Sequence, residues 1–222
     1  MTKTKELARP GPVGGKRDEN RKLRRAELEK GALALFLVQG VEGTTIDDIV
    51  DRTGAAKGSF YRYYKDKRDL VDALIEPVRA GLLEAFTNAE ATIARAETQP
   101  ALLEAYLGLA LGTSGVLFEH RQLALLYLQE SRAPGVGARK PLSDMSNTIS
   151  EAALRLTLTA RKRGLLRPID PRVTSLAVLG ATERLLFETF RDEGFSEPLK
   201  VAEALITMVM DGLRASSGDG EL

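Results

Sequence analysis

Cysteine and tryptophan are absent from this chain, histidine occurs once, at His120, and aromatic residues make up only 5%. Without cysteine there are no disulfides, no thiolate zinc sites and no cysteine nucleophile, and the composition suits a reducing compartment. One histidine excludes a multi-histidine metal site. Nucleophile–base chemistry would have to run through His120, yet no serine elbow and no glycine-rich phosphate loop appears. Neither a catalytic set, a metal nor a cofactor is therefore expected. No apolar run reaches the roughly 18 residues of a membrane span, and no apolar stretch follows the first charges as in a secretory leader. These readings lead to the expectation of a cytoplasmic, non-membrane protein. Scarce aromatics beside abundant Ala and Leu favour helices over strands.

What is present is ordinary globular usage with uneven charge. The chain has 222 residues, 43% of them apolar and 28% charged, with a net charge of only +1. Residues 1–25 hold nine Lys/Arg against three Asp/Glu, net +6, whereas residues 76–222 hold sixteen against nineteen, net −3. A basic first third on an acidic remainder points to a polyanion as partner, with a solvated basic tail as the alternative.

Pro10, Gly11, Pro12, Gly14 and Gly15 mark residues 1–15 as a disordered tail. From Lys16 the chain becomes helix-compatible. Leu28, Ala32, Leu35 and Phe36 form one apolar helical face, and Gly40 supplies the stop. Thr45 and Asp48 have the spacing of a capping box. Ile46, Ile49 and Val50 make a short inner face, Gly54 ends that helix, and a further helix runs from about Lys57 to Tyr64. Two short helices around a tight turn describe a helix-turn-helix. Asp66 and Asp69 cap the next helix, which carries Pro77. A kink or break is expected at Pro77, as a hinge or as mere punctuation. The chain beyond is Ala/Leu-rich helix, broken near 99–100, 133–137, 164–171 and 194–198. The domains read as a helix-turn-helix domain over 16–75, a helical bundle over 76–215 and a frayed tail over 216–222. The fold class is all-α.

The segment from Thr44 to Leu70, with Gly43-Thr44-Thr45 before the second helix, Gly58-Ser59-Phe60-Tyr61-Arg62-Tyr63-Tyr64 in the third and Lys65-x-Lys67-x-x-Leu70 at the fourth, resembles the N-terminal domain of TetR-type transcriptional regulators. The likeness runs from about Leu28 to Ile75. It implies a homodimeric repressor that binds a quasi-palindromic operator in double-stranded DNA and is released by a small-molecule effector. A DNA-binding protein without sequence preference is the alternative. The resemblance carries DNA contact to Thr45, Lys57, Ser59, Tyr61, Tyr63 and Lys67. Phe60 and Tyr64 pack inward, leaving Lys57, Gly58, Ser59, Tyr61, Arg62 and Tyr63 outward on a helix whose N-terminal end can enter a major groove. Lys57 suits guanine O6 and N7, Gly58 close approach, and the tyrosine hydroxyls phosphate. Ala55-Ala56 stand where the family often has a Ser or Thr cap, so the third helix begins without one. The basic stretch Lys16–Arg25 either extends the first helix along phosphates or reaches a minor groove as an arm.

Over the bundle no motif marks a site. Apolar faces on about 171–193 (Val173, Leu176, Ala177, Leu179, Gly180, Glu183, Leu186, Phe187, Phe190) and 198–215 (Val201, Ala202, Leu205, Ile206, Val209, Leu213) suit a two-fold four-helix interface. The resemblance also implies an effector pocket. Its candidate lining is Tyr106, Leu107, Leu111, Phe118, Leu123, Tyr127 and Phe187, with His120, Glu130 and Glu183 as polar anchors; ordinary core is the alternative for each.

Overall fold

The computed structural model describes residues 15–190, 194–195 and 197–213. The tails expected over 1–15 and 216–222 lie outside them, Gly15 excepted. No β-strand forms among the described residues. The helices are α1 (Lys16–Gln39), α2 (Ile46–Thr53), α3 (Lys57–Tyr63), α4 (Lys67–Ile93), α5 (Gln99–Glu119), α6 (Arg121–Glu130), α7 (Lys140–Lys162), α8 (Pro171–Phe190) and α9 (Pro198–Leu213), with one 3-10 turn at Gly137–Arg139. The chain divides into two compact units, Met1–Leu70 and Val71–Leu222. That boundary falls inside α4.

In the first unit, α1 carries the basic stretch Lys16–Arg25 as regular helix and ends at Gly40, whose φ of 78° terminates it. α1 lies against α2, and α2 against α3. The approach of α1 to α2 is close: a methyl group at Gly31 would collide with the Thr53 side-chain methyl. Leu28, Ala32 and Phe36 of α1, Ile49 and Val50 of α2, and Phe60 and Tyr64 are all buried. Burying seven such side chains, several of them large, is the main term that offsets the entropy of ordering so short a domain.

The second unit is a helical bundle in which α7 packs on α8, α5 on α9, and α6 on α5, α7 and α8. Ile93, Leu102, Leu156, Leu165 and Met210 belong to its buried cluster. Thr98 caps α5, accepting the Ala101 N–H, with Pro100 in the first turn. α5 also has the length and apolar composition of a membrane span, contrary to the expectation that no stretch does. Its Leu102, Ala105 and Leu117 are buried inside the bundle. α4 runs through Pro77 without a break. The break expected there is absent, and Pro77 lies too far along the helix to be a first-turn proline. Arg79 bridges that turn, donating to Asp72 Oδ1 at 2.8 Å and also pairing with Glu76.

Candidate nucleic-acid interface and bundle cavity

The interface is built from its caps. Thr45 Oγ accepts the Asp48 N–H at 3.1 Å, and Asp48 Oδ2 accepts the Thr45 N–H at 2.8 Å, a complete reciprocal box. The Thr45 N–H, and then the Thr45 hydroxyl donating to Asp48 Oδ2 at 2.7 Å, hold the Asp48 carboxyl below its usual range. Gly54 closes α2 in the left-handed region at φ 61°. α3 begins at Ala56 with no side-chain cap, as the Ala55-Ala56 pair predicts. Phe60 and Tyr64 anchor α3 from below. Lys57, Gly58, Tyr61 and Arg62 are exposed, Ser59 and Tyr63 half-buried. Tyr61 packs edge-on against Phe60, with ring centroids 5.5 Å apart. The α3 face expected at DNA is therefore assembled from the chain's own packing.

Two of its cations are engaged. Lys57 Nζ lies 2.7 Å from Asp47 Oδ1. The Asp47 carboxylate holds the Lys57 ammonium above its ordinary range. Lys67 Nζ donates to the backbone carbonyls of Val41 at 2.7 Å and Thr44 at 2.6 Å. Thr44, fully buried, in turn donates its hydroxyl to the Gly40 carbonyl at 2.8 Å. The ammonium thus clasps the turn that positions α2. A cation in the first turn of α4 opposes that helix dipole, and these carbonyls offset the cost.

A third set was not foreseen. Tyr64 donates its hydroxyl to Glu29 Oε1 at 2.5 Å, and Arg25 Nε donates to Glu29 Oε1 at 2.8 Å while its guanidinium lies 5.7 Å from the Tyr64 ring centroid. Burial, then the Glu29 carboxylate, pushes the Tyr64 phenol well above its ordinary range. Arg25, the last of the basic stretch, is therefore tied to the domain core. Only the spacing Arg25–Glu29 was legible in the sequence; Tyr64 is brought in by the fold.

The second unit encloses a cavity of about 240 Å³. Its wall includes Tyr106, Phe118, Tyr127 and Glu183, all anticipated. Leu107, Leu111, His120, Leu123, Glu130 and Phe187 are outside the lining. Leu111 is 60% exposed. His120 sits at the junction of α5 and α6. Glu130 is buried against Arg139, at 2.5 Å. The Arg184 guanidinium lies 5.8 Å from the Phe187 ring centroid. Leu123 sits on a helix whose cavity-facing positions are Tyr127 and Leu128. The α9 stripe Val201, Ala202, Leu205, Ile206, Val209 and Leu213, read as an interface, lines this cavity, as do Leu179 and Leu186 of α8. Of the face read as an interface on α8, Val173 and Leu176 remain exposed, and on α9 the exposed large apolar side chains are Leu199 and Met208, which that reading did not include. A single-face pattern cannot separate these roles, because a cavity wall and a subunit interface both call for an apolar stripe.

Comparison with known proteins agrees with this architecture. Residues 29–74 match the family model of bacterial regulatory proteins, tetR family. The HTH-type transcriptional repressor KstR2 of Rhodococcus jostii is 26% identical over 191 residues, covering 86% of this chain and 91% of that one. KstR2 of Mycobacterium tuberculosis is 29% identical over 109 residues, so the match spans 49% of this chain and about half, 52%, of that relative. Among solved structures, the ketosteroid transcriptional regulator KstR2 of Mycobacterium tuberculosis superposes with a TM-score of 0.65 at 19% identity, covering 93% of this chain and 98% of that one. NalD, the secondary repressor of the MexAB-OprM multidrug efflux pump in Pseudomonas aeruginosa, superposes with a TM-score of 0.68 at 20% identity, covering 89% and 99%. At such identities the structural likeness shows the fold. The N-terminal helix-turn-helix, residues 29–74, is thus similar to the DNA-binding domain of bacterial regulatory proteins of the tetR family, and the whole chain has the fold of such regulators.

Proposed function

We propose that this protein is a sequence-selective DNA-binding repressor of the bacterial cytoplasm, dimeric, and released from its operator by a small molecule bound in the bundle cavity. The observation that carries the reading is the outward face of α3, where Lys57, Gly58, Ser59, Tyr61, Arg62 and Tyr63 share a short helix seated on buried Phe60 and Tyr64. Thr45 adds the N-terminus of α2, which favours phosphate. The repressor names of the relatives support the direction of control. A second copy of the chain is the partner that suits Val173, Leu176, Leu199 and Met208, large apolar side chains left in water on α8 and α9.

Footprinting on the DNA upstream of the chain's own gene tests the reading. Protection of two half-sites, centred about one helical turn (34–36 Å) or a multiple apart, is the expected result. Binding with the same salt dependence but no preferred site would assign the chain to the non-selective alternative. Light scattering should give a dimer, and a monomer occupying one half-site would overturn the assembly.

A further inference from the structure

The cavity wall has a chemistry more specific than its apolar character. Most of its hydroxyls are consumed by their own helices: Thr113, Thr157, Thr182 and Thr189 donate to carbonyls one turn back. Thr174 and Ser175 do the same. The one carboxylate in the wall, Glu183, is doubly engaged. Its Oε1 accepts the Tyr127 hydroxyl at 2.8 Å, and its Oε2 accepts Arg132 at 3.1 Å. Two wall hydroxyls among the described residues, those of Ser114 and Tyr106, make no such bond, and of these the Tyr106 phenol is the larger and more apolar group. Its ring lines the cavity, and among the described residues the hydroxyl has no hydrogen-bond partner. Tyr106 is half-buried and its hydroxyl oxygen is not sealed inside the protein, so it is open to an acceptor brought by an occupant.

We propose that the cavity takes an uncharged, mostly apolar small molecule that presents a carbonyl-type oxygen to the Tyr106 hydroxyl, with Glu183 turning carboxylates away. This rests on the effector reading given above. The apolar wall supplies the driving force, since a cavity this large forfeits packing contacts that an occupant restores. Tyr106 and Ser114 supply orientation, because unpaired donors in an otherwise apolar wall favour an occupant that brings an acceptor. A carboxylate would enter beside Glu183 with no free cation in the wall to receive it. An amine gains nothing, because both Glu183 oxygens already have donors and Arg132 stands beside them.

The test uses the full chain and four probes of equal chain length: heptyl methyl ketone, nonane, nonanoate and nonylamine. Binding is read by calorimetry. The ketone should bind roughly three- to tenfold tighter than nonane, the worth of one hydrogen bond, and both ions should bind more weakly than nonane. Tyr106→Phe should reduce the ketone to the affinity of nonane while nonane is unchanged. Glu183→Gln should admit nonanoate. Nonanoate or nonylamine outranking the ketone, ketone affinity unaltered in Tyr106→Phe, or no binding of any probe would each overturn the proposal. Operator binding is measured separately without probe. A chain that holds its operator but no probe refutes this inference alone, and one that holds the ketone but no DNA refutes the repressor reading.

Discussion

At Lys57 and Lys67 the same residue type meets two different fates. Lys57 is held by a single exposed carboxylate, Asp47, at 2.7 Å. On DNA that carboxylate competes with the polyanion for the ammonium and itself repels phosphate. Asp47→Asn is expected to raise affinity for the operator more than for random DNA, because it frees Lys57 for its base. Parallel titrations of operator and random DNA check this; an equal gain on both would mean that Lys57 meets the backbone and not a base. Lys57→Ala should instead relax preference at one base position per half-site. Lys67 is held by the carbonyls of Val41 and Thr44. Its removal orphans both acceptors, so Lys67→Met should cost the helix-turn-helix unit about 1–3 kcal/mol in urea unfolding. A pure phosphate contact would leave unfolding unchanged and lower only the salt slope.

At the scale of the element, α2 is punctuated at both ends and α3 at neither end by a side chain. α3 persists because Phe60 and Tyr64 anchor it to a core already organised by α1 and α2. Gly31 is where α1 admits α2. Gly31→Ala would drive a methyl into Thr53, and forcing a well-packed contact apart typically costs about 1–3 kcal/mol despite the gain in helix propensity. Circular dichroism melts of the variant should show that loss; a stabilised chain would place the two helices farther apart. In α4, a proline within the helix removes one N–H and crowds the carbonyl of Ala73. The Asp72–Arg79–Glu76 cluster spans the affected turn from outside.

At the scale of the whole molecule, stability should depend on pH through phenols. Burial pushes the Tyr106 hydroxyl up to about 12. Tyr127 is raised further, by burial and then by Glu183. Phenols of the unfolded chain ionise near 10. The raised groups therefore contribute in full below about pH 10, and that contribution fades as pH rises through 12. Urea unfolding over this window should show a steep fall, and Tyr106→Phe should lose about 2 kcal/mol less than the parent between its ends. Equal losses would mean that Tyr106 is not desolvated.

The sequence by itself determined the elements whose causes are local. The Thr45–Asp48 box, the stops at Gly40 and Gly54, the bare start of α3 and the inward pair Phe60 and Tyr64 are all set within one or two helical turns. The family likeness lies in that same segment, where spacing dictates geometry. Tertiary structure alone decided which polar groups are already engaged. Lys67 reaches carbonyls 26 and 23 residues away, and Tyr64 reaches Glu29 across 35. It also decided which apolar stripes of α8 and α9 line the cavity and which face water. Such choices depend on long-range packing, because a cavity wall and a subunit interface call for the same apolar stripe until neighbours decide between them.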